Sequence, residues 1–162
     1  MVPIQQQFVG DLLGASPQLS LLSSPEAILL KERAYFSSPR TAKVLTEGVP
    51  LLFYESGTGG GRKCVIAAGR IRQTRVIGKT DIETEIEGKG VLTTESLDSL
   101  ISGSKVAVTT FDNIMHFENP VSLRRLREIG YVDKSNFRTA RQISSVHLLS
   151  ILEEGKAYGR AR

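Results

Sequence analysis

Several groups of residues carry side chains suited to chemistry. Lys31-Glu32-Arg33 sets three charges in a row behind the apolar run Ala27-Ile28-Leu29-Leu30. A lysine and an arginine there suit a phosphate or a base edge, and Glu32 suits an exocyclic amine. An ordinary charged strand end has the same composition. Ser38-Pro39 opens a short helix that carries Arg40, Thr41 and Lys43. Free N–H groups and the dipole at a helix start favour an anion, and simple capping by Ser38 with solvated charges fits equally well. Gly57-Thr58-Gly59-Gly60-Gly61, followed by Arg62-Lys63, could wrap a phosphate with backbone N–H groups. The loop lacks the Gly-Lys-Ser/Thr ending of a nucleotide P-loop and leads into no helix. It therefore reads as a hairpin tip whose basic residues can touch an RNA backbone. Tyr35, Phe36, Phe53 and Tyr54 supply rings on which unstacked bases can sit. Strand alternation sends only one of Phe53 and Tyr54 to the core and leaves the other for a ligand.

Other chemistries find less support. Cys64 is the single cysteine and lies in the apolar run Cys64-Val65-Ile66-Ala67-Ala68, so a buried reduced thiol is expected. His116 and His147 are far from it and from each other, which leaves no zinc-ligand spacing. No nucleophile-elbow signature is present. No metal and no cofactor is expected. No apolar run approaches the ~18–20 residues that span a bilayer, and Met1-Val2-Pro3-Ile4-Gln5 does not open like a signal peptide. With the lone cysteine, this predicts a cytoplasmic protein.

The net charge of +4 is unevenly placed. Arg62, Lys63, Arg70, Arg72, Arg75 and Lys79 make the stretch 56–80 positive throughout, and 81–98 is acidic with Lys89 as its one cation. From Pro120 onward the chain is basic again, through Arg124, Arg125, Arg127, Lys134, Arg138, Arg141 and Lys156. Such a field concentrates polyanions, although solvated faces look alike in composition.

The elements that would position these residues can be read from periodicity. Ile4, Phe8, Leu12 and Leu13 predict a short amphipathic helix over 3–14, packed outside the main sheet. Leu51 to Glu55 and Lys63 to Ile77 predict a hairpin across the glycine loop, with Gly69 at a bulge or corner. The acidic stretch 81–89 predicts a charged edge, and 95–101 a helix. Lys105 to Phe111 predicts a further strand, and Asn119-Pro120 the start of a helix over 121–129. A last helix begins at Ser144 or Ser145 and runs through Glu154, burying Leu148, Leu149, Ile151 and Leu152. Strands broken by short helices without βαβ alternation predict an α+β fold: a small mixed β-barrel with short helices packed around it. The expected division is an N-terminal helix and linker over 1–24, a barrel domain over 25–155 and a basic tail over 156–162.

The same residues carry a likeness. Leu30-Lys31-Glu32-Arg33 is similar to a Lys-x-x-Glu-x-Arg segment early in ASCH domains. Glu47 to Ser56 followed by Val65 to Ile71 resembles the strand pair of the PUA-like superfamily. Phe111-Asp112-Asn113 with Pro120 to Leu126 resembles the late strand and Pro-x-x-Leu-x-x-Leu helix of ASCH-like modules attached to acetyltransferases. The order and spacing of these blocks, over about residues 25–152, resemble the ASCH-type branch of that superfamily and its EVE relatives. The resemblance implies a barrel that holds RNA or a modified nucleobase in a cleft between barrel and helices. Some small ASCH proteins are amidohydrolases on acylated cytidine that use a lysine, a threonine and a glutamate. Lys31 and Glu32 stand in that neighbourhood as acid–base candidates. The adjacent Lys-Thr pair is missing, since Ala34 and Tyr35 follow Arg33 and the nearest threonine is Thr41.

The expected function is therefore binding of RNA or a modified nucleobase as a regulatory or accessory module. The alternative is a hydrolase of acylated nucleosides or RNA. Arg33, Tyr35, Ser38, Arg40, Thr41, Lys43, Tyr54, Arg62, Lys63, Arg70 and Arg72 are the expected contacts. A neighbouring acetyltransferase or a toxin–antitoxin mate is the expected kind of protein partner, and no membrane is expected.

Overall fold

The computed structural model describes residues 1–14, 32–78, 81–82, 104–131 and 137–156. Five strands form one mixed sheet: β1 (Val2–Ile4), β2 (Arg33–Ser37), β3 (Pro50–Glu55), β4 (Cys64–Gly78) and β5 (Lys105–Ser122), in the order β1-β3-β4-β5-β2. β1 runs parallel to β3, and the other neighbours are antiparallel. The helices α1 (Gln6–Leu13), α2 (Leu123–Glu128) and α3 (Ser145–Lys156) accompany them.

Both faces of the sheet are covered. Leu51 and Phe53 point to one side, with Val2, Ile4, Ile66, Ile71, Phe111 and the α1 residues Leu12 and Leu13. Leu52 and Tyr54 point to the other, with Val65, Val121, Leu126, Phe137 and Ile151 under α2 and α3. Alternation therefore buries both Phe53 and Tyr54, each in its own core, rather than freeing one ring. The hairpin of β3 and β4 is as expected, and the register shifts between Ala68 and Arg70, at Gly69. A β-carbon there would lie 3.3 Å from the Phe53 ring and 3.2 Å from the Asp112 carbonyl. Glycine lets Phe53 reach Phe111, with ring centroids 4.8 Å apart.

Several expectations are corrected. The segment before α1 is a short parallel strand, too brief to show a period of two. α1 covers a core rather than riding outside it. Asn119-Pro120 starts no helix, because β5 runs on to Ser122. The pairing jumps from Ala67–His116 to Val65–Val121. Pro120 thus sits in a bulge, where its missing N–H costs no ladder bond. The cap of α2 is Ser122, whose Oγ accepts from the Arg125 N–H. The last helix forms as read, with Ser144 Oγ accepting from the His147 N–H, but Leu149 faces solvent, 60% exposed. The 3-10 turn Pro39–Val44 replaces the helix expected after Ser38-Pro39. The edge over 81–89, apart from Asp81 and Ile82, and the helix over 95–101 lie outside the described residues.

The α+β class holds, but the expected barrel is not closed by hydrogen bonds. β1 and β2 are the two ends of the strand order, with no ladder between them among the described residues. β1 has three residues, and its middle one, Pro3, has no N–H to give. The sheet nevertheless curls until Tyr35 on β2 donates its hydroxyl to the Pro3 carbonyl at 3.3 Å.

Candidate functional site

The gap between the two sheet ends is a cleft of about 330 Å³. This is near the low end of small-molecule sites, ~300–1,000 Å³. One wall is β1 and α1, through Pro3, Ile4, Gln5, Phe8 and Leu12. The opposite wall is β2, through Ala34, Tyr35 and Phe36, and Ser56, Thr58, Phe137 and Arg138 complete the lining. The surface is mainly apolar, with a few hydroxyl and amide groups and one cation. Burial pushes the Tyr35 phenol up to about 12, so it stays neutral through the physiological range.

A smaller pocket of about 230 Å³ adjoins it and shares Ser56, Thr58, Phe137 and Arg138. Tyr54, Gly57 and Lys63 complete this second lining. Phe137 forms the partition, its ring 4.6 Å from Tyr54 and 5.8 Å from Tyr131. Neither lining includes a carboxylate among the described residues. Lys63 and Arg138 are both exposed and have no ion-pair partner among the described residues.

The loop between β3 and β4 is shaped by a buried carboxylate. Glu55 is 1% exposed and accepts from the Arg62 backbone N–H at 2.8 Å and from Arg62 Nε at 2.9 Å. Burial alone would raise its pKa, but the hydrogen bonds and charge of Arg62 outweigh it and hold the carboxyl below its ordinary value. Gly61 lies so close to the Ser56 carbonyl that a β-carbon would occupy the same space. Arg62 therefore closes the loop, and only Lys63 of the expected basic pair faces the pockets.

The helix wall is fixed from behind. Arg33 is 4% exposed and donates from Nη1 to the carbonyls of Leu12 at 3.1 Å and Asp11 at 3.5 Å. His116 Nε2 bonds the Leu13 carbonyl at 3.1 Å. These donors satisfy carbonyls that the last turn of a helix leaves open. Gly14 ends α1 in the left-handed region, φ 72°, directly beneath the Arg33 guanidinium. The expectation that Arg33 meets the ligand is thus corrected. Its guanidinium is spent on α1, because β2 buries its odd face against that helix.

The other sequence-derived candidates divide by position. Tyr35 lies in the cleft, and Tyr54, although buried in the core, reaches the lining of the smaller pocket. Ser38 precedes the 3-10 turn that holds Arg40, Thr41 and Lys43, away from both linings; Ser38 makes no side-chain cap bond and its Oγ sits 3.4 Å from that of Thr41. Arg70 and Arg72 lie on the β4–β5 ribbon, also away from the cleft. Asp112 takes a two-pronged bond from Arg70 at 3.0 and 2.9 Å and a 3.5 Å contact from Arg72. Glu32 is partly buried ahead of β2 and is not in either lining, and Lys31 lies outside the described residues. Sequence reading missed Gln5, Phe8, Ser56, Thr58, Phe137 and Arg138 as a set. Its one usable signal was the aromatic–basic pair Phe137-Arg138 in a basic stretch.

No family model matches the sequence, and no curated protein matches it. Among solved structures, the chain is similar to the crystal structure of ASCH from Zymomonas mobilis, with 9% identity and a TM-score of 0.68 over 94% of this chain and 92% of that one. A tyrosine-to-phenylalanine variant of that protein matches with 8% identity and TM-score 0.68, over 94% of both chains. A serine-to-alanine variant matches with 10% identity and TM-score 0.67, over 94% of this chain and 92% of that one. At such identities the likeness concerns the path of the chain, and it agrees with the open curled sheet and its helices. The fold of this chain is that of the Zymomonas mobilis ASCH structure.

Proposed function

We propose that the chain is a binding module for RNA, or for a modified nucleobase within it, that takes one unstacked base into the cleft between β1 and β2. One observation carries the reading. An apolar, partly aromatic cleft of nucleoside size opens between the sheet ends, with Lys63 and Arg138 on one side and no carboxylate in its described lining. Phe8 and Phe137 offer apolar contact to a base, while Gln5, Tyr35, Ser56 and Thr58 offer donors and acceptors to its edges. The exposed cations supply the phosphate attraction that gives such modules their affinity. The ASCH-type fold supports the same direction. In this reading the chain acts as an accessory or regulatory unit beside a catalytic partner, and its small curled sheet serves as an incomplete barrel.

The test is fluorescence anisotropy with labelled single-stranded RNA at 50 to 200 mM salt, probe conditions in which phosphate contacts dominate. The expected result is binding that weakens linearly in log salt and drops further in Arg138→Ala. Absence of binding to every RNA and DNA probe at the lowest salt would overturn the proposal.

A further inference from the structure

We infer that the smaller pocket is a phosphate subsite, so that the ligand is held as a nucleotide and not as a bare base or nucleoside. The inference rests on the larger cleft being a base site and adds the group that must lie beside the base.

Several features of the pocket converge on an anion. Lys63 has no ion-pair partner among the described residues and lines this pocket alone, and Arg138 lines both. Lys63 is one of two non-glycine residues with a left-handed backbone among the described residues, φ 57°. That conformation is unfavourable for a lysine and is held by its neighbours: the Lys63 carbonyl accepts from the Leu123 N–H at 2.8 Å. The Lys63 methylenes lie across Gly57, in the space a β-carbon there would take. The loop itself changes hand, with Gly57 right-handed (φ −74°, ψ 0°) and Gly59 and Gly60 left-handed (φ 70° and 90°). Of this loop, Gly57 and Thr58 line the pocket. Ser56 and Thr58 add hydroxyls at the junction of the two pockets. Glu55, the one acid nearby in sequence, is already neutralised by Arg62 at 2.7 Å.

The shared lining sets the geometry of the ligand. A base in the larger cleft and an anion in the smaller one would flank Phe137 and Arg138, as base and phosphate flank a ribose. A terminal phosphate and an internal phosphodiester share this chemistry.

The experiment titrates the protein by NMR with the four ribonucleosides, their 5′- and 3′-monophosphates, dinucleoside monophosphates and inorganic phosphate. It is repeated for Lys63→Asn, which accepts a left-handed backbone, and for Lys63→Arg, which restores the charge. The expected result is that at least one monophosphate binds on the order of tenfold tighter than its nucleoside. That gain disappears in Lys63→Asn, returns in Lys63→Arg, and leaves nucleoside affinity unchanged. Inorganic phosphate alone should shift the amide signals of Gly57 and Thr58. Stronger binding of dinucleoside monophosphates than of mononucleotides would support a diester in the subsite, and the reverse a terminal phosphate. Equal affinity for nucleosides and their phosphates would overturn the inference and leave the base site standing. So would a phosphate gain that survives in Lys63→Asn. Failure of every nucleoside and nucleotide to bind would remove the base site as well.

Discussion

The clamp on the carboxyl end of α1 predicts an energetic coupling between Arg33 and Gly14. Arg33→Ala removes a charge-assisted bond to the Leu12 carbonyl at 3.1 Å and a longer one to Asp11. A hydrogen bond from a charged donor contributes ~1.5–3 kcal/mol. Releasing a guanidinium whose pKa burial has lowered offsets part of that. A net loss of ~2 kcal/mol should lower Tm by about 4–8 °C in a chain of this length. Gly14→Ala has two costs. Its left-handed backbone disfavours a β-carbon by ~1–2 kcal/mol, and that β-carbon falls in the space of the guanidinium, an overpacking cost of ~1–3 kcal/mol. In the Arg33→Ala background only the first cost remains. Urea unfolding of the four proteins, followed by circular dichroism, should therefore show the double variant ~1–3 kcal/mol more stable than additivity gives. Additivity within ~0.5 kcal/mol would refute the claim that Arg33 fills the space above Gly14.

Three further outcomes follow from the packing. Glu55 is held below its ordinary pKa, so it stabilises the fold fully above the unfolded carboxyl value and the effect fades as pH falls through the folded one. Glu55→Gln should flatten the acid limb of a stability-against-pH curve, and an unchanged limb would contradict this. Gly155→Ala should destabilise by ~1–3 kcal/mol, because its β-carbon would enter the Phe117 ring; an unaltered midpoint in urea would show that the α3–β5 contact is looser. Cys64 is 4% exposed and burial raises its thiol pKa. A disulfide reagent should modify it only on global unfolding, and rapid labelling of the native protein would count against its burial.

Much of the frame was legible because it rests on local pattern. The β3–β4 hairpin, the bulge at Gly69, the strand from Lys105 and the last helix each announce themselves by alternation, a glycine or a cap. What escaped depends on distant partners. Tyr54 looks free until α2 and α3 cover its face, and Pro120 looks like a helix start until the bulge opposite Val65 shows where its missing N–H is tolerated. Arg33 reads as a ligand contact because nothing local reveals the α1 carbonyls waiting for it. The cleft was the least legible feature, since Gln5, Tyr35, Thr58 and Arg138 meet only through the curl that joins the two ends of the sheet.

Amide hydrogen exchange with and without saturating single-stranded RNA tests the central claim most directly. Ligand in the cleft should slow exchange at 3–8, 34–36, 56–60 and 137–138 and leave the outer turns of α2 and α3 unchanged. Protection confined to the Arg70–Arg72 ribbon or the 39–44 turn, with the cleft segments unaltered, would contradict it.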